Sequence, residues 1–223
     1  KAFLSVGHDE YWTKQMRDAI ESARDQRVNL GFFGGNMGYW QMRFEPAVAT
    51  GETNKTMVSY KEAADPAASS AAETTTQFRL APVSRPEASL IGVMYDFSPV
   101  YSDMVISNCV PWVCAGTNLV NGDKLIGMLG YEVDRISSSS PANIQPITAS
   151  PYNVIRNGVT ETRYSNMTYY QAASGSGVFA TGSMYWNYGL NAYGNVNPDY
   201  VNPNVQQITR NVLNAFVPAP LKP

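Results

Sequence analysis

The pattern of apolar and polar positions opens clearly. Ala2 to Val6 is a short apolar run with Gly7 at its end, which predicts a strand of the buried type. Thr13 then caps a helix of about 13 residues. Met16, Ala19, Ile20 and Ala23 recur at i, i+3, i+4 and i+7 and give that helix one apolar face. Lys14, Arg17, Glu21 and Arg24 fall largely off it. Val28 to Phe33 is a second apolar run, stopped by Gly34 and Gly35. Strand, helix and strand within about 33 residues is the size of a βαβ unit, whose crossover is parallel and right-handed. Ligands in such sheets sit beyond the carboxyl ends of the strands. Those ends carry Gly7-His8-Asp9-Glu10 and Gly34-Gly35-Asn36, so two polar clusters should meet at one rim.

The middle of the chain is less periodic. Thr56 to Tyr60 reads as a strand ending at Lys61, and residues 63 to 76, rich in Ala, Ser and Thr, read as loop. Leu90–Tyr95, Asp103–Ile106 and Lys124–Leu129 are short apolar segments parted by Pro, Gly and Asn, as expected of an insertion of β-hairpins and loops over about residues 62 to 165. Ser137 to Pro151, with its serine run and prolines, reads as a surface crossing, and Val178 to Gly182 as another buried strand. Near the end, Asn202 caps a helix with Pro203 at its first position. Val205, Ile208, Val212, Leu213 and Phe216 form its apolar face, and Pro218, Pro220 and Pro223 forbid its continuation. No repeat or linker appears, so the chain reads as one α/β domain with an irregular insert.

Composition narrows the function. At 223 residues, with a net charge of −2 and only 15 % charged residues, the chain lacks the basic footprint of a nucleic-acid binder. No apolar run is long enough to span a membrane. Cys109 and Cys114 either bridge each other or stay as two buried thiols. Asn54 and Asn166 sit in glycosylation acceptor triplets. The polarity is mostly uncharged Asn, Ser and Thr, a surface that favours a secreted or cell-surface protein over a cytoplasmic one.

His8-Asp9-Glu10 sets the chain's single imidazole beside two carboxylates at a strand end. On an extended backbone His8 and Glu10 point the same way and Asp9 the opposite way. Such a pair can ligate a metal or act as a base and its orienting partner; the bland alternative is a polar cluster capping the following helix. Asn36 follows paired glycines that let backbone approach a ligand closely. Tyr39, Trp40 and Arg43 could wall a pocket or pack in the core. Lys61 and Glu132 abut apolar runs, where a salt-bridged surface role competes with a catalytic one. A thiol nucleophile at either cysteine lacks the glycine-framed elbow such sites use.

Val6-Gly-His-Asp-Glu-Tyr-Trp12, Asn29-Leu-Gly-Phe-Phe-Gly-Gly-Asn36, Tyr39-Trp40, Tyr60-Lys61, Gly130-Tyr-Glu132 and Gly177-Val-Phe-Ala-Thr-Gly-Ser183 with Trp186 occur in order. Together they resemble the C-terminal domain of the large (β) subunit of N,N-dimethylformamidase and its bacterial relatives. The resemblance implies a glutamine-amidotransferase-like (flavodoxin-like) fold, a mostly parallel sheet with helices on both faces. It also implies an amidohydrolase using one non-haem iron, held by a glutamate matching Glu10 and by two tyrosines upstream of residue 1. His8, Asn36, Lys61 and Glu132 match its pocket residues. A ferric ion with hard oxygen ligands would polarise a small amide and activate water.

A buried-type strand beginning at Ala2 predicts that its neighbours lie in a preceding part of the polypeptide or in a second chain, and a homo-oligomer is compatible with this. The alternative to an enzyme is a secreted carbohydrate- or surface-binding module. It predicts an exposed aromatic row, drawn from Tyr185, Trp186, Tyr188 and Tyr193.

Overall fold

The computed structural model describes residues 1–61, 64–66, 70–194 and 197–217. Part of the 63 to 76 loop, and the terminal prolines expected to stop the last helix, lie outside the described residues.

The chain runs β1 (Ala2–Gly7), β2 (Tyr11–Thr13), α1 (Lys14–Asp25), β3 (Asn29–Gly34), β4 (Trp40–Glu45) and β5 (Thr56–Val58). It continues α2 (Ala88–Ile91), β6 (Met94–Val105), β7 (Lys124–Arg135), β8 (Gln145–Pro146), β9 (Ser150–Arg156) and β10 (Val159–Ser165). It ends β11 (Thr168–Gln171), β12 (Gly177–Ala180) and α3 (Pro203–Phe216). The main sheet has the order β1-β3-β12-β11-β8. Its first three strands are parallel, as the βαβ spacing requires, while β11 and β8 add antiparallel pairs. The α/β class holds, with a sheet that is mixed rather than mostly parallel.

Alternation along the central strands divides the core in two. Phe33 and Phe179 face α3, where Val205, Ile208, Val212 and Phe216 complete one cluster. Leu30, Phe32, Val178 and Ala180 face the other way onto Ile20 of α1 and Leu90 and Ile91 of α2. Each such buried Val, Leu, Ile or Phe side chain contributes roughly 1.5–3 kcal/mol. Helices therefore close both faces of the sheet. Asn202 Oδ1 accepts from Asn204 N and Val205 N, and Pro203 opens α3, as its sequence predicts. Thr13 Oγ1 accepts from Met16 N and caps α1.

Several expectations change. β1 is an edge strand in which only Ser5 is buried; Leu4 and Val6 are exposed. In α1, Ile20 is buried as expected, but Arg17 is fully buried and Met16 is exposed, so the buried face is shifted from the expected one. The buried guanidinium is satisfied by Glu21 Oε1, the carbonyls of Arg85 and Pro86, and Ser89 Oγ, and it lies over the Phe78 ring. Leu90 and Ile91 end a short helix instead of starting a strand. The fragments around residues 94–106 and 124–129 belong to one hairpin, β6–β7, of two 12-residue strands. Ser137 to Pro151 does not stay at the surface, because Ile147, Thr148 and Ser150 are buried.

Candidate active site

Gly7 and Gly34 lie side by side at the ends of β1 and β3, and the turns after them form the rim. The approach is close. A Cβ on Gly34 would stand 1.9 Å from the Gly7 carbonyl oxygen, and one on Gly35 would stand 2.8 Å from that of Glu132. Glycine is the residue that lets three backbone segments converge here. Asn36 follows at φ +54°, in the left-handed region that Asn tolerates better than most residues. Its backbone N–H donates to Asp134 Oδ1 at 2.8 Å.

The side chains meet above that floor. His8 Nε2 lies 3.4 Å from Glu10 Oε2, and His8 Nδ1 lies 3.8 Å from Glu132 Oε2. Asn36 Nδ2 donates to both carboxylates, at 3.2 Å to Glu10 Oε1 and 2.7 Å to Glu132 Oε2. One amide thus ties together two acids that flank one imidazole. His8 is about one-third exposed and both glutamates are mostly covered, so the group opens to solvent through the imidazole. Asp9 turns away as expected, and Ser5 Oγ donates to its Oδ2 at 2.7 Å; Thr13, not Asp9, caps α1.

Lys61 sits at the margin with φ +56°, its Nζ 5.1 Å from the centre of the Tyr11 ring and 5.5 Å from that of Trp40. The Tyr11 hydroxyl, chiefly, and the Glu10 carboxylate hold its ammonium above the ordinary lysine pKa. Tyr39 packs edge-on against Trp40 and Tyr95, and burial pushes its phenol up to about 12. Arg43 is not a wall of this site; it is paired with Asp65 and Glu45.

Sequence reasoning missed Asp134. It is fully buried, and desolvation raises its carboxyl from 3.8 to about 7 against the opposing Asn36 N–H bond. The signal was present, since Asp134 follows Glu132 by two residues on β7 and so shares its face.

Cys109 and Cys114 are joined in a disulfide, so neither is a nucleophile for His8. Asn54 is exposed. Asn166 Nδ2, the atom a glycan would occupy, donates to the Thr148 carbonyl, and its Oδ1 accepts from Ile136 N. Among the described residues, no three His, Cys, Asp or Glu side chains form a metal-holding group. Glu10 and Glu132 offer hard anionic oxygens of the kind iron takes, and two carboxylates already bonded by Asn36 fit part of a coordination sphere and not a complete one.

In open α/β sheets ligands bind beyond the carboxyl ends of the parallel strands, which is where this acid–imidazole–amide cluster stands. The family model for the N,N-dimethylformamidase beta subunit-like, C-terminal domain matches residues 1–202, and the chain belongs to that family. No curated protein matches the chain.

Proposed function

We propose that the chain carries the working face of a hydrolase that cleaves C–N bonds of small amides. The observation that carries this reading is the convergence of His8, Glu10, Asn36 and Glu132, drawn from three separate segments, on one rim. Membership of the family supports hydrolase-type activity, and three parallel strands between helices support the glutamine-amidotransferase-like reading of the fold.

In this reading His8 takes a proton from the attacking water and returns it to the departing amine nitrogen, so that water and amide become acid and amine. Glu10 and Glu132 stabilise the imidazolium formed between the two steps. Both hydrogens of Asn36 Nδ2 are committed to the carboxylates, so Asn36 positions the acids and the oxyanion falls to Lys61, whose ammonium, bonded to the Tyr11 hydroxyl, keeps further N–H donors at the margin. Glu10 would be a ligand of this chain to an iron ion. When bound, that ion supplies Lewis acidity at the amide carbonyl. The disulfide supports an oxidising compartment, in keeping with secretion.

The test is amine release from formamide, N-methylformamide, N,N-dimethylformamide and acetamide by the full-length polypeptide. His8→Ala should lower turnover by about 10²–10⁴-fold with the fold intact. Unchanged turnover in His8→Ala, or no release from any of the four amides by the wild type, would overturn the reading.

A further inference from the structure

The β6–β7 hairpin carries a second feature that the amide chemistry does not use. Five tyrosines form a continuous row across it. Tyr131 meets Tyr101 with ring centres 5.9 Å apart, and Tyr101 meets Tyr185 at 6.2 Å. Tyr185 meets Tyr188 at 5.0 Å, and Tyr188 stacks on Tyr200 at 6.4 Å. The row is therefore assembled from both strands of the hairpin and from the two 3₁₀ turns at Met184–Gly189 and Pro198–Tyr200.

The backbone is shaped to seat these rings. A Cβ on Gly127, at φ +69°, would stand 2.4 Å from the Tyr200 ring, and one on Gly130 would stand 2.6 Å from the Tyr185 ring. Both glycines lie on β7, so the rings rest directly on the strand and their orientation is fixed before any ligand arrives. Core packing accounts for Tyr188 and Tyr200, which rest against the α3 core, but not for Tyr101 and Tyr131, which are 71 % and 40 % exposed. Burial and the neighbouring phenols Tyr101, Tyr188, Tyr200 and Tyr131 raise the Tyr185 pKa above the ordinary tyrosine value.

Between the rings lies a hollow of about 230 Å³ lined by Tyr101, Ser102, Asp103, Ile126, Tyr185 and Tyr200. That is below the roughly 300–1,000 Å³ that engulfs a drug-sized ligand, so it admits one ring-sized unit of a longer molecule. Charge is neutralised there: Asp103 accepts from Gly127 N at 3.0 Å and pairs with Lys124 at 3.4 Å. The expected aromatic row is also corrected. Trp186 is fully buried, donating to Thr209 Oγ1, and Tyr101, Tyr131 and Tyr200 take part in its place.

We infer that this tyrosine row is a binding site for a neutral oligosaccharide. Flat ring faces match the C–H faces of sugar rings, phenol tips match their hydroxyls, and a charge-neutral groove suits an uncharged chain. An unbroken run of rings favours a ligand in which every unit presents a face. A proline-rich peptide, with three residues per turn, instead fills separated slots.

The test titrates cellohexaose, xylohexaose, chitohexaose and decaproline into the full chain by calorimetry. At least one hexasaccharide should bind more tightly than about 1 mM, and Tyr101→Ala and Tyr131→Ala should each weaken it tenfold or more. Tyr193→Ala, at an exposed tyrosine outside the row, should leave binding unchanged. Thermal unfolding should stay unaltered in Tyr101→Ala, and if it shifts, Tyr131→Ala decides. Binding of none of the three saccharides, binding indifferent to both row variants, or binding of decaproline alone would overturn the inference.

Discussion

Asn36 joins backbone conformation to site chemistry in a single residue. Its left-handed backbone and its doubly donating amide make separable demands. Asn36→Gly keeps the first and removes the second, whereas Asn36→Ala loses both. The alanine variant should be less stable than the glycine variant by about 1 kcal/mol in urea unfolding, while both lose turnover alike. Equal stability would show that the backbone is not held where it is described. Asp134 gives a prediction with a definite sign. Its carboxyl rises from 3.8 unfolded to about 7 folded, so between those values the folded protein keeps a proton that the unfolded chain has released. Stability must then fall as pH rises through that window, by up to about 4 kcal/mol at pH 8. Asp134→Asn, whose amide oxygen still accepts from Asn36 N, should abolish that slope between pH 4 and 8. A slope equal to wild type would mean that Asp134 titrates normally. The residues that carry the candidate chemistry were legible because a sole histidine beside a carboxylate stands out at a strand end. Asp134 and the buried Arg17 were not, since their roles depend on partners 98 and 68 residues away in sequence.

Elements with one clean period were readable and the irregular ones were not. α1, β3 and α3 follow from spacing and caps, because each settles its own backbone hydrogen bonds or one adjacent pairing. The β6–β7 hairpin escaped as a unit because register shifts at Tyr95/Phe97, Phe97/Val100 and Ser102/Met104 interrupt the alternation on which strand recognition rests. The strand ends at the rim are the most constrained part of the sheet. Gly34→Ala forces a Cβ against the Gly7 carbonyl and Met37 Cε, where backbone cannot yield. It should cost at least about 3 kcal/mol in urea unfolding, and a loss under about 1 kcal/mol would contradict the close approach of β1 and β3. The Cys109–Cys114 bridge closes a short loop, with a sequence separation of 5. Reduction should therefore lower stability by only about 2 kcal/mol, leaving a folded protein with two titratable thiols. Global unfolding on reduction would give the bridge a larger part than loop closure supports.

At the scale of the molecule, the ordered motifs pointed to a family that the match over residues 1–202 establishes. The antiparallel half of the sheet was invisible beforehand. β11 and β8 join through pairings with β12 and with each other that local pattern does not encode. Folding around that mixed sheet brings the histidine turn, the Gly-Gly-Asn turn and β7 to one rim, and the central claim is that this rim works as a metal-assisted hydrolytic site through Glu10. The direct measurement is iron content, by elemental analysis of natively purified full-length polypeptide, in wild type and Glu10→Gln. The exchange is nearly isosteric but replaces a hard anionic ligand by a neutral, weak one. The account predicts close to one iron per wild-type chain and loss of most of it in Glu10→Gln, with thermal unfolding little changed. Equal iron in the two proteins, or none in the wild type, would contradict it.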